Sequence, residues 1–176
     1  MQRNDSPRKR HIVKIAALIA VTSASLALTF ALPARAATGM SGMQYYVGTW
    51  SCTGGTIGKK PTQATLTYVM NGDVLQQWLR VPHSQTMKVP YVQSSSMTYD
   101  SKNDRYVDTG VANDGSWFVN YTTLSGNTET SVDHAVSSGK LGRGVTVRTS
   151  STAFSYTGYP TTSGGKADFK ATCQKS

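Results

Sequence analysis

The sequence predicts an all-β fold for residues 37–176: an up-and-down antiparallel barrel of about eight or nine strands, preceded by an N-terminal hydrophobic signal helix. Three observations predict it. Thr, Ser, Gly, Val and Tyr are plentiful while Glu129 is the only glutamate, a composition that disfavours helix and suits short strands. Polar–apolar alternation recurs between turn-forming clusters, and no segment keeps a 3.6-residue period. The intervening turns are hairpin-sized, which favours a barrel of sequential hairpins over a Greek-key sandwich with its longer crossings.

The first 36 residues stand apart. A basic lead, "MQRNDSPRKRHIVK", precedes the uncharged run "IAALIAVTSASLALTFAL". Pro33 then ends the helix, and Ala34 and Ala36 flank Arg35 as an A-x-A exit. Together these describe an export signal over residues 1–36, cut after Ala36. The alternative is an uncleaved membrane anchor, because about 18 apolar residues is near bilayer-spanning length. There is no cysteine at the cut and no twin-arginine pair. The whole chain carries 18 basic and 9 acidic residues; six bases and one acid belong to this segment, leaving 12 against 8. The remaining cations are dispersed along the sequence, so no nucleic-acid partner is expected and a solvated face is. Membrane contact is expected only through the signal segment.

The rest is one domain of ordinary size, residues 37–176. "YYVGTWSCTGG" opens it, with Gly48, Trp50 and Cys52 on one face of an extended strand. "QATLTYVM" alternates Ala64, Leu66, Tyr68 and Met70 against polar neighbours, and Asn71-Gly72 supplies a hairpin turn. "VLQQWLRV" returns. "YVQSSSMTYD", the turn "SKND" and "RYVDTGVA" follow, and then "NDG" leads into "SWFVNYTTL". After "SGN" come "TETSVDHAV", a long or bulged "GVTVRTSSTAFSYTG" and finally "KADFKATCQ".

Both cysteines lie on the apolar faces of their strands, one in the first and one in the last. Those strands are neighbours only if the sheet closes. An exported chain meets an oxidising compartment, so a Cys52–Cys173 bridge locking the seam is expected. The other possibility is two buried free thiols.

"YVGTWSCTGG", "GKKPTQATLTY", "MTYDSKNDRYVDTGVANDGSW" and the cysteine-ending last strand together resemble exported, mostly uncharacterised bacterial proteins with a lipocalin-like or nitrobindin-like (calycin) β-barrel. The resemblance covers most of residues 44–174. It implies that Trp50, in a G-x-W element with Gly48, plugs one end of the barrel. It also implies an interior able to host a small molecule. Nitrobindins hold haem through a histidine near the start of the last strand. Here "YPTTSGGKADFKATC" has none, so no cofactor is expected.

Trp50, Tyr68, Trp78, Tyr99, Trp117, Tyr121 and Tyr156 fall within strands and are the candidate lining for an apolar or aromatic ligand, combining large faces with hydrogen-bonding tips. Equally, a small barrel fills itself with such side chains. Trp78 shares a face with Gln76 and Arg80, while Leu75, Leu79 and Val81 make the other, and parity alone leaves the inner one open. Isolated His83 and His134 lack metal-ligand spacing, and "DSKND" reads as a turn, not a calcium loop. No nucleophile elbow or paired-carboxylate pattern points to catalysis. The expected protein is a periplasmic or extracellular monomer, without enzymatic activity, binding a small, partly apolar ligand behind mouth loops near Val81 to Val92 and Ser137 to Gly144. The alternatives are a cell-envelope interaction module with a packed core and no ligand, or an enzyme using Arg80, Asp108, Asp133, His134 and Arg148 in the bore.

Overall fold

The computed structural model describes residues 39–82, 89–163 and 165–176; the segment 1–36, expected as an export signal, and His83 lie outside them. Ten antiparallel strands close into one barrel. They are β1 (Gly48–Thr56), β2 (Thr62–Asn71), β3 (Val74–Val81), β4 (Tyr91–Asp100), β5 (Arg105–Ala112), β6 (Trp117–Ser125), β7 (Thr128–Ala135), β8 (Lys140–Ser150), β9 (Ala153–Tyr159) and β10 (Phe169–Lys175). Each strand pairs with the next, and β10 returns to β1. The all-β up-and-down expectation holds, but the count is ten and not eight or nine. The segment expected as one long strand over 144–158 is two, β8 and β9. Their turn contains no Gly, Asn or Asp; hydroxyls shape it instead, with the Thr152 amide donating to Ser150 Oγ at 3.2 Å. The bulge expected there falls in the β8–β9 register between Arg148 and Ser150.

The other turns follow their chemistry. Gly72 (φ 58°) and Gly115 (φ 83°) adopt the left-handed conformation that tight hairpins require. The "SKND" turn is held by Asp100, which accepts from Asn103 Nδ2 at 2.7 Å.

A 3₁₀ helix over Gly39–Tyr46, not anticipated from the sequence, precedes β1. Gly48 then bends the chain into the wall at φ 125°. The helix defines a closed end, where the β2–β3, β4–β5, β6–β7 and β8–β9 hairpins also lie. It lays Met40, Met43 and Tyr46 onto Trp50, Leu75, Tyr106 and Phe154, all buried. Trp50 is fully buried and donates its indole N–H to the Tyr46 carbonyl at 2.7 Å. The plug role implied for Trp50 is therefore met, with the helix as its lid.

Cys52 and Cys173 are cross-strand partners on β1 and β10, joined at an S–S distance of 2.02 Å. The bridge spans the seam as expected and is compatible with an exported protein.

Candidate functional site

Register decides which face of each strand is inside. Starting from buried Trp50, the direct partners run through Leu66, Leu79 and Gln93 to Ala112. The bore of β3 is thus lined by Leu75, Gln77 and Leu79, and Trp78 faces outward. The same walk puts Tyr106, Asp108 and Gly110 of β5 inside, with Phe118, Asn120 and Thr122 of β6. Glu129, Ser131 and Asp133 of β7 follow, then Gly144 and Thr146 of β8, and Phe154 and Tyr156 of β9.

Two polar groups of different character share this bore. Near the closed end, Glu129 Oε1 accepts from the Tyr46 hydroxyl and from Arg148 Nη2, both at 2.6 Å, and Arg148 also donates to the Gly42 carbonyl at 2.8 Å. Burial pushes the Glu129 carboxyl up, against the opposing pull of Tyr46 and Arg148. Burial also raises the Tyr46 hydroxyl, reinforced by the neighbouring Glu129 charge. Arg148 pays desolvation, but its bond to Glu129 holds it more firmly protonated. The sole glutamate of the chain is thus a structural anchor tying the helix to β7 and β8.

Toward the open end the bore is hydrophilic. Asp108, Asn120 and Asp133 are direct cross-strand neighbours in one row. Asp133 accepts from Ser131 Oγ at 2.6 Å and from the Tyr156 hydroxyl at 3.2 Å. Asp108 is 6% exposed and Ser95, beside it on β4, is 7% exposed. Neither Asp108 Oδ1 nor Ser95 Oγ has a hydrogen-bond partner outside this pair. Burial pushes the Asp108 carboxyl up to about 6, with the Asp133 charge adding to the rise and Ser95 opposing it. Around them Gln77, Gln93 and Asn120 stay partly solvent-exposed although they point inward. Tyr156 leans over Gly144: a Cβ at that glycine would come within 2.8 Å of the ring and 2.5 Å of Ser131 Oγ. Only glycine leaves room for this arrangement.

The mouth holds a hollow of about 330 Å³, bordered by Asp133, Tyr156, Phe169, Arg143, Tyr159 and Asp168. Tyr156 and Phe169 meet edge to face at 5.9 Å. A second hollow, about 440 Å³, lies on the outer wall between Trp78 and Trp117, over a floor of Ser94, Ser96 and Thr109.

The seven aromatic candidates therefore separate. Tyr68, Tyr99, Tyr156 and Trp50 face inward. Trp50 belongs to the closed-end core. Tyr99 lies at the closed end, donating to Asp104, and Tyr68 lies deep in the bore against Tyr46, at 5.4 Å between rings. Tyr156 alone stands in the hydrophilic half. Trp78, Trp117 and Tyr121 are on the outer wall, the last beneath the Arg105 guanidinium at 4.1 Å. Of the groups considered for chemistry, Asp108, Asp133 and Arg148 face inward, whereas Arg80 and His134 face outward. Sequence reasoning did not single out Ser95, Gln77, Gln93 or Asn120. Their parity with inward neighbours was the available signal, and their polarity argued against using it.

Of the expected mouth loops, residues 83–88 lie outside the described residues, and of Ser137 to Gly144 only 137–139 form a turn at the open end, Lys140 onward being strand β8. No family model and no curated protein matches the chain. Among solved structures it is similar to Rv2717c from M. tuberculosis, at 9% identity and TM-score 0.54, over 80% of this chain and 98% of that one. A redesigned β-barrel, b11L5F_LGL, matches at 15% identity and TM-score 0.42, over 75% and 92%. The first of these supports the β-barrel fold.

Proposed function

We propose that this is an exported, non-catalytic barrel that takes a small, partly apolar ligand into the open half of its bore, in the manner of lipocalin-like and nitrobindin-like proteins. One observation carries the reading: Asp108 and Ser95, buried, adjacent and turned inward, hold oxygen atoms that no protein group outside this pair satisfies. Such atoms cost free energy unless a water or a ligand meets them. A ligand that donates hydrogen bonds to Asp108 and Ser95, with an apolar body against Tyr156 and Phe169, fits this lining. Its compartment is the periplasm or the medium, in keeping with the cystine.

Native mass spectrometry on protein purified from its own host tests the reading. Adducts that disappear in Asp108→Asn support it. Only bare chain, together with unchanged melting across a panel of amphiphilic amines and alcohols, would count against it.

A second reading has its own support. As an envelope interaction module the chain would present aromatic side chains outward, and Trp78 and Trp117 are 41% and 48% exposed. Cross-linking from the outer-wall hollow separates the two readings.

A further inference from the structure

The cations that look scattered in the sequence gather at the mouth once the barrel closes. Exposed Lys59, Lys60, Arg80, Lys140, Lys166 and Lys170 all lie at or beside the open end, against exposed Asp114 and Asp168. That is six cations to two anions among the described residues. At the closed end, Asp73, Asp100 and Asp104 balance Lys102, Arg105 and Lys175.

The exposed apolar side chains follow the same polarity. Ile57, Val89, Val111, Trp117, Leu141 and Phe169 are between 37 and 68% exposed, and all stand at the mouth. Trp78 and Val132 sit part-way along the wall, and Val69 is the large exposed apolar residue near the closed end. The two sets interleave: Ile57 precedes Lys59 and Lys60, Lys140 precedes Leu141, and Lys170 follows Phe169. Every connection around the mouth contributes, from β1–β2 to β9–β10.

We propose that this rim docks on the surface of an anionic lipid bilayer. Apolar tips ringing a mouth would enter the acyl boundary, the lysines would rest on headgroup phosphates, and an indole such as Trp117 favours that interface. A flat surface can touch all five connections at once. A second copy of the chain would bring one basic rim against another, so like charges oppose that occupant. The inference rests on the rim alone and does not require the bore to hold a ligand.

The test uses the full chain and a local readout, because the apolar segment over residues 15–32 would itself partition into lipid. Vesicles of brominated phosphatidylcholine with an equal share of phosphatidylglycerol should quench the indole emission. Trp117→Phe should remove most of the quenching, with fully buried Trp50 as the internal silent fluorophore. Replacing Lys59, Lys60, Lys140 and Lys170 by glutamate should abolish it, each neutralised cation alone weakening apparent binding about five-fold. On the unaltered protein, raising the salt to about 1 M should reverse quenching, since screening then acts within about 3 Å. Absence of quenching on anionic vesicles overturns the proposal. So does quenching that is equal on purely zwitterionic vesicles and indifferent to salt.

Discussion

The two halves of one bore are built on opposite principles. At the closed end a 3₁₀ helix, four buried aromatic side chains and a buried ion pair leave almost nothing exposed: Trp50 is 0% and Leu75 2% accessible. At the open end, amides, hydroxyls and carboxylates share the inner face with Leu79, Ala112 and Phe118, and Asp108 Oδ1 and Ser95 Oγ have no partner outside their own pair. The backbone ladder runs through both, with a bulge in the β8–β9 register between Arg148 and Ser150. Regular pairing therefore does not by itself make a packed interior. What differs is whether something covers the end of the barrel, and here one short helix does so on one side only. Stability should reside in the covered half, and binding has room only in the other.

The largest test of that division acts at the border between the halves, where the cystine lies. Cys52→Ser with Cys173→Ser opens a crosslink between residues 121 apart in sequence. Chain entropy puts the loss at about 5 kcal/mol. Urea unfolding of the oxidised protein against the double variant measures it. Because sulfur joins strands already paired through a full ladder, the barrel should still form at low temperature. A variant as stable as the parent would mean that β1 and β10 are held by their ladder alone.

Next in size is the closed-end ion pair. Glu129→Ala leaves Arg148 and the Tyr46 hydroxyl without their shared acceptor, and an unpaired buried charge of this kind costs about 3–5 kcal/mol. Replacing both members, Glu129→Leu with Arg148→Met, should recover most of that loss, because a well-packed apolar pair avoids desolvating either charge. If the double variant is no better than the single, the pair is contributing specific geometry to the helix lid and not merely avoiding an orphaned charge.

In the open half the sign reverses. The Asp108 carboxyl titrates near 3.8 when unfolded and is pushed up to about 6 in the barrel. The fold thus favours the neutral acid. The stability this contributes is fully present below about pH 3.8 and is lost as pH rises through about 6, a swing of about 3 kcal/mol. Asp108→Asn should therefore stabilise the protein at neutral pH and flatten its pH dependence between about pH 4 and 7. Thermal melts across that window read the effect directly. A variant that is less stable at pH 7 than the parent would show that the charged carboxylate is wanted by the fold, and the division of the bore would lose its clearest example.

Much of the fold could be read in the sequence because turn chemistry is local. "NGD", "SKND", "NDG" and "SGN" each mark a hairpin that the barrel contains. The β8–β9 turn escaped notice because Ser150 and Thr152 hold it through hydroxyl contacts that no simple breaker rule detects. The helix "GMSGMQYY" escaped because it has little intrinsic propensity; it is held by burial of Met43 and Tyr46, which is a tertiary fact. The inner face was the harder matter. In "RYVDTGVA" the usual rule turns Val107 and Val111 inward, yet the register turns Asp108 inward and leaves Val111 58% exposed. Alternation reveals that a strand has two faces. Which face is wet depends on what the bore contains and what the outer wall must meet, and neither is encoded within one strand.

The smallest expected effect is also the one that most directly compares the halves. Gln93 faces the bore near the mouth as the cross-strand partner of Leu79 and Ala112, and is partly exposed there. A side chain already in contact with solvent has little to lose, so Gln93→Ala should change stability by about 0.5 kcal/mol or less. Trp50→Ala, equally inward but fully buried beneath the helix, should cost about 3–5 kcal/mol. Amide exchange extends the comparison to the backbone: amides of β1 and β9 near Trp50 and Phe154 should open only with global unfolding, while those bordering the mouth exchange through smaller openings. Were Gln93→Ala to cost as much as a core truncation, water would not be filling that half of the bore, and the polar lining would have to be read as a network satisfied from within.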